Sequence, residues 1–263
     1  MKLSVIGTGD WGCVLIPKFE ELCGVHKLYG RQNIDYLNEE DFVFDEDLPG
    51  IMAESDAVVI ATPPESHYEI ALRALQADCH VWVEPPMCLC IEDAHKLVTE
   101  AHRRDKVLFV DHQFCYSDSM DWLTPFTPMD YGDCNDVVTE VEGRFYSTYH
   151  AEQKLNSTWN LGCQLTALLV YLKLPLSKFQ LKTTYYATEQ ERSFEVSYQS
   201  GVKYLWDILA EKHDLVMRAC KEFLVGIEIP GHKVRTDGDH GFEVIRALEF
   251  LSPSRFTYEA TIA

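Results

Sequence analysis

The first dozen residues constrain this chain more than any other stretch. A short apolar run, KLSVI at 2–6, leads into Gly7-Thr8-Gly9-Asp10-Trp11-Gly12, and a helical stretch, WGCVLIPKFEELC, continues to residue 23. Each glycine of Gly7-x-Gly9-x-x-Gly12 has its own physical task. The first permits a tight turn out of the strand, the second lets backbone approach a pyrophosphate, and the third lets helix pack closely on strand. The helix start then offers unpaired N–H groups and the positive end of its dipole to the phosphates. Taken alone the motif is weak evidence. It is much stronger when strand, loop and helix come in this order at the head of a βαβ array. A plain strand-to-helix turn of a flavodoxin-like domain is the alternative at this point.

The array does follow. HKLYG at 26–30 reads as a second strand, and the acidic stretch 35–50 as surface structure with a short helix. DAVVIATPP at 56–64 is a buried strand ended by a proline pair, and ESHYEIALRALQAD at 65–78 has the 3.6 period of an amphipathic helix. CHVWVE at 79–84 is a strand, IEDAHKLVTEAHRRD at 91–105 a helix, and KVLFVDH at 106–112 a strand. Strands alternating with helices of this length imply βαβ units and a parallel sheet. Pro17 inside the first helix predicts a kink or an irregular first turn.

After about residue 118 the pattern changes. A Pro-rich stretch precedes NDVVTEVEGRFYSTYH at 135–150, which alternates like an antiparallel strand. TWNLGCQLTALLVYLKL reads as a long helix, FQLKTTYYAT, SFEVSYQS and VKYLWDIL as three strands, and DLVMRACKEFLVGI and DHGFEVIRALEFL as closing helices. The expected fold is α/β: a Rossmann doubly wound parallel sheet over 1–118, then an α+β domain with a mainly antiparallel open sheet over 119–263. A chain of 263 residues has room for both.

The strand after the first helix ends Tyr29-Gly30-Arg31, with no acid before Asp35. An acid there would hold the 2′-hydroxyl of NAD, whereas a small residue followed by Arg accommodates the 2′-phosphate of NADP. The residues therefore favour NADP(H), with NAD(H) as the other possibility, and a merely solvated Arg31 as the bland alternative.

Composition narrows the partners. The net charge of −19 repels phosphate backbones and argues against nucleic acid. No apolar run is long enough to span a membrane. Nine scattered cysteines without framework spacing or a signal peptide point to a reducing, cytoplasmic setting. Cys88-x-Cys90 has no second pair to complete a zinc site, and the TDGDHG segment, with His232 and His240 nearby, reads more economically as a capped helix start. No metal is expected.

Four stretches, VIGTGDWG, DAVVIATPPESHYEIALRAL, HVWVEPPMCLCIEDAHKL and VLFVDHQFCYS, together with the C-terminal EFLVGIEIP…TDGDHGFEVIRALEFL, resemble the Gfo/Idh/MocA oxidoreductases. The GDWG and VDHQFCYS forms look closest to members acting on nucleotide sugars. The resemblance implies a cofactor site built from Gly7, Thr8, Gly9, Asp10, Trp11, Gly12, Gly30, Arg31, Ala61, Thr62, Pro63, His67, Glu84, Pro85 and Gln113. Thr62-Pro63 would lie by the pyrophosphate and nicotinamide ribose, and Glu84 and its turn by the nicotinamide. His112-Gln113 would border the same pocket, where parallel strands end.

The pattern breaks at the residues that move protons. The family usually has Glu-Lys-Pro where this chain has Glu84-Pro85-Pro86, and Asp and His four apart where it has Asn160 and Gln164. Amides keep the shape and can hydrogen-bond a hydroxyl, but they cannot take its proton. Losing a general base costs about 10²–10⁴-fold, or roughly 3–5 kcal/mol. The family also resembles biliverdin reductases, which carry a non-lysine residue at this turn and deliver hydride to a conjugated carbon. His112, His150 and Tyr116 are the remaining titrating candidates beside Asn160 and Gln164, each with a structural role as the plain alternative. The reading that results is an oxidoreductase of altered chemistry. It would use NADP(H) and a small-molecule substrate, sugar-nucleotide-like or conjugated such as a tetrapyrrole. It would self-associate as a dimer or tetramer through the C-terminal sheet. The alternatives are a non-catalytic dinucleotide- or sugar-nucleotide-binding protein and, more remotely, an acidic protein-interaction module.

Overall fold

The computed structural model describes residues 1–30, 37, 42–118, 120, 138–146, 159, 162–173, 181–186, 193–198, 203–207 and 214–251. The described strands are β1 (Leu3–Ile6), β2 (Val25–Tyr29), β3 (Ala57–Ile60), β4 (His80–Val83), β5 (Leu108–Val110), β6 (Val138–Tyr146), β7 (Leu181–Tyr186), β8 (Ser193–Tyr198) and β9 (Lys203–Asp207). The described helices are α1 (Asp10–Cys23), α2 (Leu48–Glu54), α3 (Pro64–Gln76), α4 (Ile91–Arg104), α5 (Gly162–Tyr171), α6 (Leu215–Glu228) and α7 (Gly238–Leu251). A short 3-10 helix spans Gln113–Tyr116.

Two compact units result, Met1–His112 with Val216–Phe242, and Gln113–Leu215 with Glu243–Ala263. A single cut at residue 118 therefore differs from the observed division. The first unit ends earlier and takes back most of α6 and the start of α7.

The first unit holds an all-parallel sheet in the order β2-β1-β3-β4-β5. β1 and β3 are buried along their whole length, as expected for parallel strands covered on both faces. The chain leaves β1 toward β2 and then returns to place β3 on the other side. That reversal opens a crevice at the carboxyl ends of β1 and β3, directly beside the glycine loop.

An aromatic cluster holds the sheet to its helices. Trp82 of β4 stacks on Phe109 of β5, with ring centroids 4.5 Å apart and planes 14° apart. Phe19 of α1 meets Trp82 edge-on at 5.3 Å, and Phe223 of α6 meets Trp82 at 5.8 Å and Phe109 at 5.6 Å. All four rings are fully buried. Beyond β5, Val110 N–H donates to the Thr236 carbonyl at 2.9 Å and Phe109 bridges antiparallel to Asp237. This covers an otherwise open sheet edge. Asp237 then caps α7, accepting from His240 N–H at 2.9 Å, so the TDGDHG segment is a capped helix start.

Local expectations are adjusted at three points. α1 is unbroken from Asp10 to Cys23 although Pro17 lies inside it, and Pro17 sits on the exposed face. β3 stops at Ile60 rather than running to 64, because Pro63 caps α3 and Pro64 begins it. The short helix of the acidic stretch, α2, comes at its end, with proline in the first turn.

The second unit contains a four-stranded sheet ordered β7-β6-β8-β9. β6–β8 and β8–β9 are antiparallel, while β6–β7 is parallel. The parallel pair follows from connectivity, since the chain passes through α5 between β6 and β7 and a parallel pair needs such a crossover. Apolar residues dominate α5, which packs against the 3-10 helix, where Phe114, Cys115 and Tyr116 are buried.

Candidate cofactor and active site

The loop after β1 is built from backbone in close contact. Gly7 has φ +111°, and a Cβ there would strike the carbonyl of Ala61 and the nitrogen of Thr62. A Cβ on Gly12 would strike the carbonyl of Gly7, and one on Gly30 the side chain of Thr8. Gly7 N–H donates to the Tyr29 carbonyl at 2.7 Å and Ala61 N–H to the Ile6 carbonyl at 2.8 Å. The turns following β1, β2 and β3 therefore share one surface with almost no side-chain bulk. At the N-cap of α1, Gly9 is extended (φ −66°, ψ −176°) and supplies no side-chain cap. Gly9 thus adds no hydroxyl or carboxylate of its own over the first-turn N–H groups. Such a cradle fits a dinucleotide pyrophosphate. Asp10 and Trp11 are exposed at its rim.

His67 braces the opposite side. It is buried in the first turns of α3, with Nε2 2.6 Å from the Thr62 carbonyl and Nδ1 2.9 Å from the Pro86 carbonyl. Burial pushes its pKa below the ordinary histidine value, although both carbonyls act to raise it. A neutral ring has one N–H, so it donates to one of these carbonyls while its other nitrogen faces the second, and the ring spans the turns after β3 and β4. Ser66 Oγ donates to Thr62 Oγ1 at 2.7 Å, which fixes the threonine as well. Pro63 is exposed at the start of α3, Pro85 is half-buried, and the Pro85–Pro86 bond is cis.

Two carboxyls meet at the ends of β4 and β5. The register pairs Trp82 with Phe109 and Val83 with Val110, so the next step sets Glu84 beside Asp111. Strand alternation puts Glu84 on the face of Trp82 and Asp111 on the face of Phe109. Trp82 Nε1–H donates to Glu84 Oε1 at 3.0 Å, and the Trp11 side chain also hydrogen-bonds Glu84. Asp111 is fully buried. Burial raises the pKa of Glu84 well above the carboxylate range, and the neighbouring Asp111 carboxyl raises it further. Burial lifts Asp111 to about 7, and the neighbouring Glu84 carboxyl acts to lower it. Asp111 escaped the sequence reading. The signal was present in two adjoining strands of the same phase, Val-Trp-Val-Glu and Leu-Phe-Val-Asp.

The other candidates fall in different surroundings. His112 is buried, its ring 5.2 Å from that of His240. Neither of its ring nitrogens has a hydrogen-bond partner among the described residues. Burial, then the neighbouring His240, holds its pKa well down, and burial takes His240 to about 4. Gln113 opens the 3-10 helix and Tyr116 closes it, buried; both belong to the second unit with Gln164, half-buried on α5. Arg31, Asn160 and His150 lie outside the described residues. Among the described residues, no group of three or more His, Cys, Asp or Glu could hold a metal ion. His232 instead pairs with Glu222 at 3.1 Å.

A glycine cradle at the switch point of a parallel sheet defines a dinucleotide-binding Rossmann domain. Residues 1–112 match the GFO_IDH_MocA model, described as an oxidoreductase family with an NAD-binding Rossmann fold, so this part of the chain is similar to that family. UDP-N-acetylglucosamine 3-dehydrogenase of Acidithiobacillus ferrooxidans is 31% identical over 115 residues, which cover 43% of this chain and 37% of that relative. The chain thus matches only about a third of its curated relative's length. The solved structure of that dehydrogenase superimposes with a TM-score of 0.78 at 18% identity, covering 95% of this chain and 96% of that one. Biliverdin reductase from Synechocystis, solved with biliverdin and NADP+, gives a TM-score of 0.76 at 14% identity, covering 96% and 98%. These structural likenesses establish the shared fold.

Proposed function

We propose that this chain is an NADP(H)-preferring oxidoreductase that moves a hydride to or from a small organic substrate, nucleotide-sugar-like or conjugated, by a mechanism without the family's lysine. The observation that carries this reading is the cradle in which Gly7, Gly12 and Gly30 leave no room for a Cβ. The amides of the Gly7–Gly12 loop and the start of α1 would hold the pyrophosphate, and Gly30-Arg31 the 2′-phosphate. Thr62-Pro63 and Glu84-Pro85 would border the nicotinamide. A bound reduced nicotinamide supplies the hydride. The relatives named above act on, or bind, a nucleotide sugar and a tetrapyrrole, which supports both substrate classes. The sheet of the second unit would carry self-association.

A second reading, a binding protein without catalysis, is favoured by Pro85, which has neither the shape nor the charge of the lysine it replaces. Titration of the purified protein with NADPH and NADH, followed by fluorescence, tests the first step. NADPH should bind at least tenfold tighter than NADH, and Arg31→Glu should abolish that preference. Failure of both nucleotides to bind would overturn the oxidoreductase reading and leave, of the second, only binding of a sugar nucleotide. Binding without oxidation of NADPH across sugar-nucleotide and open-chain tetrapyrrole panels would favour the second.

A further inference from the structure

We propose that Glu84 and Asp111 form a proton-sharing carboxyl pair that replaces the family's lysine, Glu84 exchanging the proton with substrate and Asp111 acting as the positioning residue that keeps it there. This rests on the oxidoreductase reading of the site.

The geometry begins with register. β4 and β5 are hydrogen-bonded parallel neighbours, and their last paired residues are Val83 and Val110. Asp111 N–H still donates to the Val83 carbonyl at 3.0 Å, and Glu84 N–H to the Ile60 carbonyl at 3.0 Å. Both acids are therefore held by the ends of the sheet and not by mobile loops. The stacked Trp82 and Phe109 lie one pleat below on the same face and form an apolar floor. Asp111 is fully buried while Glu84 is half-buried, so Glu84 is the member open to a ligand.

Two carboxylates on neighbouring strand ends in a water-poor site repel, and such pairs relieve the repulsion by keeping one proton between them. The groups facing the pair leave that balance undisturbed. From α1 comes the Trp11 indole and from β4 the Trp82 indole, both neutral donors. From α3, His67 meets the backbone of the same turn and is held toward neutrality by burial. His112 follows Asp111 and touches His240 of α7, and burial pushes both toward the neutral form. The family's lysine would have supplied a cation beside this turn. Pro85 supplies none.

The O–H bond of the Glu84 carboxyl breaks and its proton bonds to a substrate oxygen or nitrogen. A bound reduced nicotinamide would supply the hydride that reduces the adjacent substrate carbon. The pair, now fully ionised, regains one proton from water. In the oxidative direction each transfer reverses. The Trp82 indole N–H on Oε1 favours the proton on the other Glu84 oxygen, and the repulsion of Asp111 keeps that proton available near neutral pH.

The test titrates the pair directly in the protein without nucleotide. Infrared difference spectra across pH should show one protonated carboxyl persisting through neutrality and lost only on the alkaline side. Emission from Trp11 and Trp82, which donate to Glu84, should change with the same midpoint in the unsubstituted protein. In Asp111→Asn the midpoint should fall by at least about one pH unit, as expected when a like charge is removed. The alkaline limb of NADPH oxidation should move with it. Absence of a protonated carboxyl at neutral pH, or an unchanged midpoint in D111N, overturns the pair. A shared proton in a protein that fails to bind NADPH overturns its catalytic role and locates the failure in the oxidoreductase reading.

Discussion

Phe223 is the residue through which a helix more than a hundred positions downstream enters the core of the dinucleotide-binding unit, and Phe223→Ala tests that arrangement. The ring is fully buried and meets Phe19 at 6.3 Å, Trp82 at 5.8 Å and Phe109 at 5.6 Å. Truncating a buried Phe to Ala costs about 3–5 kcal/mol. Edge-on aromatic pairs are each worth about 0.5–1.5 kcal/mol beyond area. Three such contacts place the expected loss in the upper part of that range, about 4 kcal/mol. A chain of this size loses roughly 2–4 °C per kcal/mol, so melting should fall by about 8–16 °C. Urea unfolding followed by tryptophan emission reads this well, since Trp82 is the central ring of the cluster. Phe250→Ala serves as the control, because Phe250 is 65% exposed and should change stability by no more than about 0.5 kcal/mol. A loss below about 1 kcal/mol for F223A would refute the packing of α6 on β4 and β5. A functional consequence follows, since Trp82 positions Glu84 through its indole N–H. F223A should also weaken the pH response of the carboxyl pair.

Other outcomes are equally specific. Gly30→Ala places a Cβ against Thr8 and should weaken NADPH binding at least tenfold, with Thr8→Gly in the same chain restoring most of it; titration by fluorescence decides. His67→Ala deprives the Thr62 and Pro86 carbonyls of the ring between them and should cost about 1–3 kcal/mol in urea unfolding. Stability should respond to acid through two opposed contributions. Burial, aided by Lys106, takes His80 to about 4, and burial takes His240 to about 4, against an ordinary 6.5. Their contribution is complete above 6.5 and is lost as pH falls toward 4. Val107 N–H donates to His80 Nδ1 at 3.0 Å, a bond that protonation breaks. Asp111, lifted to about 7 from 3.8, contributes fully below 3.8 and loses its contribution as pH rises through about 7. Asp111→Asn removes the opposing contribution, so its urea midpoint should fall more steeply on acidification than that of the unsubstituted protein. Equal slopes would contradict the assignment.

Much of the first unit could be read from local chemistry. The strand–glycine–helix order at residues 2–23, the apolar run before Pro63-Pro64 and the period of 65–78 each reflect constraints within a few residues of chain. Element ends were harder, because hydrogen bonds beyond a strand, such as Ala61 N–H to Ile6, depend on a neighbour absent from the local sequence. The parallel pairing of β6 with β7 had the same cause. Residue alternation in β6 reports burial on one face, and only the α5 crossover sets the direction of its partner.

The site divides along the same line. Glycines in the first loop, and the absence of an acid between Tyr29 and Asp35, were visible in the sequence because a glycine's missing Cβ and a side chain's charge are properties of single residues. The return of Phe223 to β4 and β5, the bracing of two turns by His67 and the meeting of Glu84 with Asp111 were decided by tertiary structure alone. Each joins residues from separate elements, and their distance is set by how strands register and helices pack. Val-Trp-Val-Glu and Leu-Phe-Val-Asp each end in an acid by sequence. They become a carboxyl pair only because β4 and β5 lie side by side with Trp82 opposite Phe109.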